Sequence, residues 1–172
     1  ASKILEVYHQ YKNSHLGIHP SAIIEESASI GENVFIGANV YIGNNTTIGS
    51  NCRVKSGVSI GNNVKIGFDC QLHYNVTIED DSIIGNHCTF QPGAIIGSEG
   101  FGFQPNQEND YQKLYHIGNV VIEDHVEIGA TTTIGIENNS GSVGLLHSKD
   151  TYPLSNTTVK YFYPDSTAYA VN

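Results

Sequence analysis

The sequence has few basic residues, few cysteines and no long apolar run, and it contains no methionine. Its 172 residues include 8 Lys and Arg against 17 Asp and Glu, a formal net charge of -9, which argues against a nucleic-acid partner. No apolar run approaches the ~18 residues of a membrane span, and no secretory signal opens the chain. We therefore expect a cytoplasmic protein without a membrane span. Because the chain starts at Ala1 and has no Met, we expect its native start to lie upstream.

A six-residue repeat runs from Ile18 to Gly97. Its first place, taken at every sixth residue from Ile18 to Ile96, always holds Ile, Val, Leu or Phe. This period fits neither the 3.6 residues of a helical turn nor the alternation of a long strand, and it predicts a parallel β-helix of short strands and turns. The fifth place holds small or slim residues, so first and fifth side chains should point into a narrow interior. Three sixes would close one triangular coil.

The other places of the repeat suit tight corners. Glycine recurs at the second place, and Asn or Asp recurs at the fourth. Both residue types tolerate left-handed backbone angles, so we expect both to serve the turns in that way.

Cys52, Cys70 and Cys88 test this arrangement, because they are one coil apart and all occupy the inward fifth place. We expect them to stack in neighbouring coils at a spacing of ~4.8 Å. We interpret them as buried thiols that act as small apolar groups, and not as metal ligands or a redox relay. The odd count and the absence of a CxxC motif favour a reducing compartment.

The repeat divides the chain into three parts. Residues 1–17 predict a short helix whose apolar side covers the open N-terminal end of the solenoid, and residues 18–135 form the β-helix. Residues 98–116 break the period and predict an outward loop. Its Phe101 and Phe103 would either line an acyl or pantetheine groove or pack the loop onto the solenoid. Residues 136–172 have no repeat and predict a cap or a flexible extension, with a strand over 158–163.

Two stretches carry a resemblance to a known family: Gly97-Ser-Glu-Gly-Phe-Gly-Phe103, and Ile117-Gly-Asn-Val-Val-Ile-Glu-Asp-His-Val-Glu-Ile-Gly-Ala-Thr-Thr-Thr-Ile134. They resemble UDP-3-O-acylglucosamine N-acyltransferases, the hexapeptide-repeat enzymes that add an amide-linked 3-hydroxyacyl chain in lipid A (lipopolysaccharide) biosynthesis. The resemblance implies an all-β, left-handed parallel β-helix with a short N-terminal helix. It also implies a homotrimer, acyl carrier protein as a partner and no cofactor, since the acyl donor is a substrate.

Outward aromatic residues are candidates for the subunit contacts of such a trimer, or else are isolated surface aromatics. They are Phe35, Tyr41, Phe68 and Tyr74.

The chain also departs from this family. In the family the Thr-Thr-Ile is followed by Asp-Arg, and a later coil carries Ile-Ala-His-Asn-Val, whose histidine is the general base. Here Gly135-Ile136-Glu137 follows instead. The resemblance therefore implies a truncated chain or one with a divergent C-terminal part, inactive alone. His73, in Leu72-His-Tyr-Asn-Val76, is the nearest substitute, but it holds the second place of its six where the family's base holds the third.

Three functions from different classes remain open. The first is a portion of the N-acyltransferase. The second is a small sugar-nucleotide N-acyltransferase that uses acyl-CoA and has rebuilt its site around residues 98–116 and His73. The third is a non-catalytic trimeric scaffold. A zinc enzyme of this fold would need three converging histidines, and the spacing offers no such set, so we predict no metal site.

Overall fold

The computed structural model describes residues 3–5, 8, 16–100, 103–105, 110–113, 115, 118–136, 143–145, 160–161 and 169–170. Its described strands, numbered in chain order, are β1 (Gly17–Ile18), β2 (Ile23–Ile24), β3 (Ser29–Ile30), β4 (Phe35–Ile36), β5 (Tyr41–Ile42), β6 (Thr47–Ile48), β7 (Arg53–Val54), β8 (Ser59–Ile60), β9 (Lys65–Ile66), β10 (Gln71–Leu72), β11 (Thr77–Ile78), β12 (Ile83–Ile84), β13 (Thr89–Phe90), β14 (Ile95–Glu99), β15 (Phe103–Pro105), β16 (Tyr111–Lys113), β17 (Val120–Ile122), β18 (Glu127–Ile128), β19 (Thr133–Ile136), β20 (Val143–Leu145), β21 (Lys160–Tyr161) and β22 (Tyr169–Ala170).

Three parallel sheets form the sides of the solenoid, and they confirm the predicted left-handed parallel β-helix. Face A has the order β1-β4-β7-β10-β13-β18, face B has β2-β5-β8-β11-β14-β19, and face C begins β3-β6-β9-β12-β17 and continues into the tail. Each strand joins the sixth place of one repeat to the first place of the next. The chain turns at three corners, named AB, BC and CA after the faces that they connect.

The interior contains the side chains that the repeat predicts. First-place residues such as Ile36, Ile60 and Phe90 are 0% exposed, and so are fifth-place residues such as Val58. Because the solenoid is only one side chain deep on each face, this single column is the whole core. Each fully buried Ile or Leu contributes about 1.5–3 kcal/mol of apolar burial before chain entropy is subtracted.

The fourth place adopts the left-handed backbone conformation, as predicted. Positive φ angles of 55–62° occur there at Asn33, Asn39, Asn45, Asn51, Asn63, Asp69, Asn75, Asp81, His87, His125 and Thr131. Asn and Asp suit this conformation because their short polar side chains tolerate it.

The reason proposed for the second-place glycines of the repeat was right at Gly97, which has a φ of 85°, and wrong at the others. Gly31 and Gly49 do not have a positive φ. Instead, a Cβ atom on Gly31 would lie 2.6 Å from the backbone nitrogen of Ser50, and one on Gly49 would lie 2.6 Å from the carbonyl carbon of Gly67. Close stacking of neighbouring coils, and not backbone freedom, therefore requires glycine at these positions.

The three cysteines are free and fully buried, which confirms their assignment to the interior. Each thiol donates to a carbonyl of the following coil, as Cys52 Sγ does to Gly67 O at 3.1 Å and Cys70 Sγ to Gly85 O at 3.2 Å. Hydrogen bonds with the thiols of Cys52 and Cys88, together with burial, raise the pKa of Cys70. The same bonds lower the pKa of Cys52 and Cys88, so the ladder is a column of slim thiols hydrogen-bonded to one another and to backbone carbonyls.

The two ends of the solenoid differ. At the N-terminal end, Lys3–Leu5 and Tyr8 are helical, but Ile4 is 76% exposed and Leu5 is 67% exposed. Ile18 at the open end of the core is 54% exposed, so these described side chains do not form the predicted cover.

At the C-terminal end, β20 pairs with β17, and β21 and β22 follow in antiparallel order. The predicted strand over 158–163 is found at Lys160–Tyr161. These strands extend face C, and whether the tail acts as a cap stays a prediction. Within the described residues, no helix is long and apolar enough to cross a membrane.

Candidate functional site

The solenoid opens at corner BC, where the chain makes an excursion between β14 and β17. Strand partners are 18 residues apart up to this corner, as in Thr77 and Ile95, and 38 apart across it, as in Ile83 and Val121, so the excursion adds 20 residues. Gly97 begins it with a φ of 85°, and a Cβ there would lie 2.8 Å from Ser82 Oγ. Glycine is thus required at the exit both by backbone angle and by space.

The predicted outward loop contains regular structure of its own. Its described residues include an antiparallel hairpin, in which β15 pairs with β16 and Phe103 lies opposite Lys113. An ion pair between Lys113 and Glu99 joins the hairpin to the end of β14. On the return, Asn119 Nδ2 donates to Asp81 O at 2.9 Å, which fixes the chain to corner BC.

The predicted groove residues can be placed only in part. Phe101 lies outside the described residues. Phe103 is the first residue of β15, and its side chain also lies outside them. Its backbone lies opposite Lys113, the residue that forms the ion pair with Glu99. Their role in an acyl or pantetheine groove stays a prediction.

His73 lies on a different corner from the excursion. It follows β10 directly, at corner AB, and its backbone nitrogen donates to Phe90 O at 3.0 Å. Its side chain is half-buried. Within one chain the structure places His73 and Gly97 at opposite ends of face B, so the two halves of the predicted site are not brought together by this subunit alone.

Corner CA contains a group of side chains whose contact the sequence reasoning missed. The rings of His87 and His125 stack with centroids 4.5 Å apart, and Phe68 meets the edge of His87 at 4.9 Å. His87 Nδ1 lies 3.6 Å from Asp69 Oδ2. His87 and His125 are 38 residues apart and hold the fourth place of neighbouring coils at this corner. Only a count of repeat places that allowed for the 20-residue excursion could have paired them from the sequence.

Asp124 links the coil after the excursion to the coil before it. Its Oδ1 accepts a hydrogen bond of 2.6 Å from the Asn86 backbone N–H. This bond, with the nearby charges of His125 and His87, lowers the pKa of Asp124. Across the described ranges, no group of three or more His, Cys, Asp and Glu side chains could hold a metal ion.

Comparison with known proteins identifies the repeat. The family described as bacterial transferase hexapeptide (six repeats) matches residues 27–62, 39–73 and 63–98. Among curated proteins, the UDP-3-O-acylglucosamine N-acyltransferase of Porphyromonas gingivalis is 57% identical over 47 residues, which are 27% of this chain and 13% of the relative. That of Campylobacter jejuni is 56% identical over 41 residues, 24% of this chain and 13% of the relative. The matches thus span about an eighth of these relatives.

A solved structure extends the likeness in fold. A mutant of perosamine N-acetyltransferase from Caulobacter crescentus, in complex with CoA and GDP-perosamine, has a TM-score of 0.57 and 21% identity, covering 83% of this chain and 60% of that one. The comparisons confirm the resemblance to UDP-3-O-acylglucosamine N-acyltransferases over a short stretch, and they identify residues 27–98 as bacterial transferase hexapeptide repeats.

Proposed function

Because residues 27–98 are bacterial transferase hexapeptide repeats, we propose that this chain is part of an N-acyltransferase that moves a 3-hydroxyacyl chain from acyl carrier protein to UDP-3-O-acylglucosamine in lipid A synthesis. The observation that carries the proposal is the excursion. It opens a single corner of a regular repeat and carries the Gly-Phe-Gly-Phe motif of residues 100–103. The identity of 57% over 47 residues with a curated enzyme of this activity supports it.

The reaction requires a base near the attacking amine, donors for the oxyanion and a slot for the thioester arm. The hairpin, held at its base by Glu99 and Lys113, is our candidate for one wall of that slot. No third place of the repeat between Ile18 and Ile134 holds a histidine. The proposal therefore assigns no general base to these coils, and we expect this chain alone to bind the donor arm without turnover.

We assign the trimer interface to face B. At the sixth places of its strands the outward side chains carry no charge: they are Ile23, Tyr41, Ser59, Thr77, Ile95 and Thr133. Ile23 is 62% exposed and Tyr41 is 36% exposed. Face A carries Arg53 and Glu127, and face C carries Lys65. Because charged residues are depleted at interface centres, face B fits a contact between copies best.

The other predicted contact aromatics lie elsewhere. Phe35 is on face A, Phe68 on corner CA and Tyr74 on corner AB. Analytical ultracentrifugation tests the assignment. We expect the chain to sediment as a trimer, Tyr41→Glu to dissociate it, and Lys65→Glu on face C to leave it intact. Dissociation by Lys65→Glu alone would refute face B as the interface.

A single set of assays separates the three candidate functions. The chain is incubated with UDP-3-O-acylglucosamine and either a 3-hydroxyacyl-acyl carrier protein or a 3-hydroxyacyl-CoA, with mass spectrometry of the product and calorimetry of donor binding. Our proposal predicts binding of the hydroxyacyl-pantetheine arm, weakened by Phe103→Ala, without product. Product formed from acyl-CoA and lost in His73→Gln would establish the small acyl-CoA enzyme instead. Neither binding nor product would favour the scaffold.

A further inference from the structure

The three corners of the solenoid differ in charge. Corner BC holds five carboxylates and no basic residue over 25–27, 43–45, 61–63 and 79–81. Corner CA holds four carboxylates and two histidines over 31–33, 49–51, 67–69, 85–87 and 123–125. Corner AB holds no Asp or Glu over 19–21, 37–39, 55–57, 73–75, 91–93 and 129–131. On a chain with a formal net charge of -9, corner AB is thus a strip without acidic residues.

Basic residues gather on this strip and beside it. Arg53 and Lys55 flank the inward Val54, so both emerge on the outer side of one coil. They are two of the three Lys and Arg residues within 16–100. His73 occupies the next rung, because Val54 pairs with Leu72 and the Lys55 backbone nitrogen donates to Leu72 O at 2.8 Å. The backbones of Lys55 and His73 are therefore one ladder spacing of ~4.8 Å apart.

Local contacts hold these groups in place. Arg53 Nη1 donates to Asn33 O at 2.7 Å and to Cys52 O at 3.0 Å, which anchors the guanidinium at corner CA, the opposite edge of face A from Lys55. Lys55 Nζ lies 5.7 Å from the centroid of the Phe35 ring.

Two further features suit an anion. Ser56 and Tyr74 follow Lys55 and His73 at the third place, with Tyr74 52% exposed, and each adds a hydroxyl donor. The nearby carboxylate of Asp69 lies at corner CA, the other edge of face A, where its Oδ2 is 3.6 Å from His87 Nδ1. It is therefore not part of the strip at corner AB.

We propose that Lys55 and His73 form a binding site for a phosphate group of a small molecule. An ammonium and an imidazole N–H on adjacent rungs are donors that phosphate oxygens accept, and charged donors make the stronger hydrogen bonds. The phosphate belongs either to the diphosphate of a nucleotide-linked sugar or to the pantetheine arm of an acyl donor. Naming these two sources rests on the proposed function, whereas the anion site does not.

Calorimetry of the full chain with pyrophosphate, UDP and 4′-phosphopantetheine tests the site. Each of Lys55→Gln and His73→Gln should weaken binding about three- to tenfold, the loss of one charged or polar contact. Lys65→Gln is the matched control, because it removes the same charge from the exposed surface of face C. Lys55→Arg should retain binding, and circular dichroism should give each variant the thermal midpoint of the parent.

Two results would overturn the proposal. The first is equal weakening of binding by Lys65→Gln, which would indicate that the anions are attracted to the protein's positive charge in general and not to this site. The second is no binding of any of the three compounds at about 10 mM. Tighter binding of UDP assigns the site to the acceptor, and tighter binding of phosphopantetheine assigns it to the donor. Because this test measures phosphate binding alone, binding of pyrophosphate without any binding of the hydroxyacyl-pantetheine arm would refute the proposed function and leave this site standing.

Discussion

The close stacking of coils at the second place of the repeat predicts that one substitution will have opposite effects at two equivalent positions. In Gly49→Ala the new Cβ would lie 2.6 Å from both the carbonyl carbon and the oxygen of Gly67, which are backbone atoms that cannot move without shifting a coil. In Gly129→Ala the nearest atom is Thr132 Oγ1 at 3.4 Å, an ordinary contact. Neither glycine has a positive φ, so neither substitution places alanine in the left-handed region.

The magnitudes follow from two opposing terms. Gly→Ala lowers the entropy of the unfolded chain and stabilises by about 0.4–1 kcal/mol where the native backbone permits it. Overpacking costs about 1–3 kcal/mol, and more when backbone must move. We therefore expect Gly129→Ala to raise the free energy of unfolding by up to about 1 kcal/mol and Gly49→Ala to lower it by about 1–2 kcal/mol or more.

Urea unfolding followed by circular dichroism, at one protein concentration so that any oligomer is held constant, measures both variants. Gly57→Ala serves as the third comparison. Because Gly57 has a φ of 76°, this substitution should destabilise the protein through backbone strain in addition to crowding. The reasoning would be refuted if Gly49→Ala were as stable as the parent, or if Gly49→Ala and Gly129→Ala shifted stability in the same direction.

Three further predictions concern the coils around the excursion. Asp124 has a lowered pKa, so its contribution is present above the unfolded-state value of ~3.9 and is lost as the pH falls through the folded value. Asp124→Asn should therefore lower the urea midpoint at pH 7, and this difference should shrink as the pH falls through the folded value, whereas Glu123→Gln should leave the midpoint unchanged. Phe90 is the largest fully buried side chain of the described residues, so Phe90→Ala should lower the free energy of unfolding by about 3–5 kcal/mol in the same assay. A decrease under ~1 kcal/mol would contradict the packing described. Glu99→Gln removes the exposed ion pair with Lys113 and should change global stability by less than ~1 kcal/mol. It should nevertheless speed proteolysis of the hairpin at low salt, and an unchanged cleavage rate would show that the pair does not hold it.

The sequence predicted the fold well because burial in a solenoid is a local, periodic property. Every first-place residue from Ile36 to Ile96 is an interior residue, and the fourth-place Asn and Asp residues mark the left-handed turns. The break of the period over 98–116 also anticipated an excursion, whose length of 20 residues comes from the strand pairing. The candidate site was predicted less well, because Phe101 and Phe103 identify a motif without showing what it faces, and His73 proved to lie on another corner.

The period by itself determined which side chains point inward, that coils of three sixes stack, and where the stacking is interrupted. Tertiary structure alone decided which corner the excursion leaves from, that Gly97 makes its exit, and that His87 meets His125 across 38 residues. It also decided why the second place is glycine, since the limiting contact at Gly49 is with Gly67 in the next coil and not within its own turn. The physical reason is that side-chain direction is set by local backbone geometry, whereas neighbours along the solenoid axis are set only when separate coils come into contact.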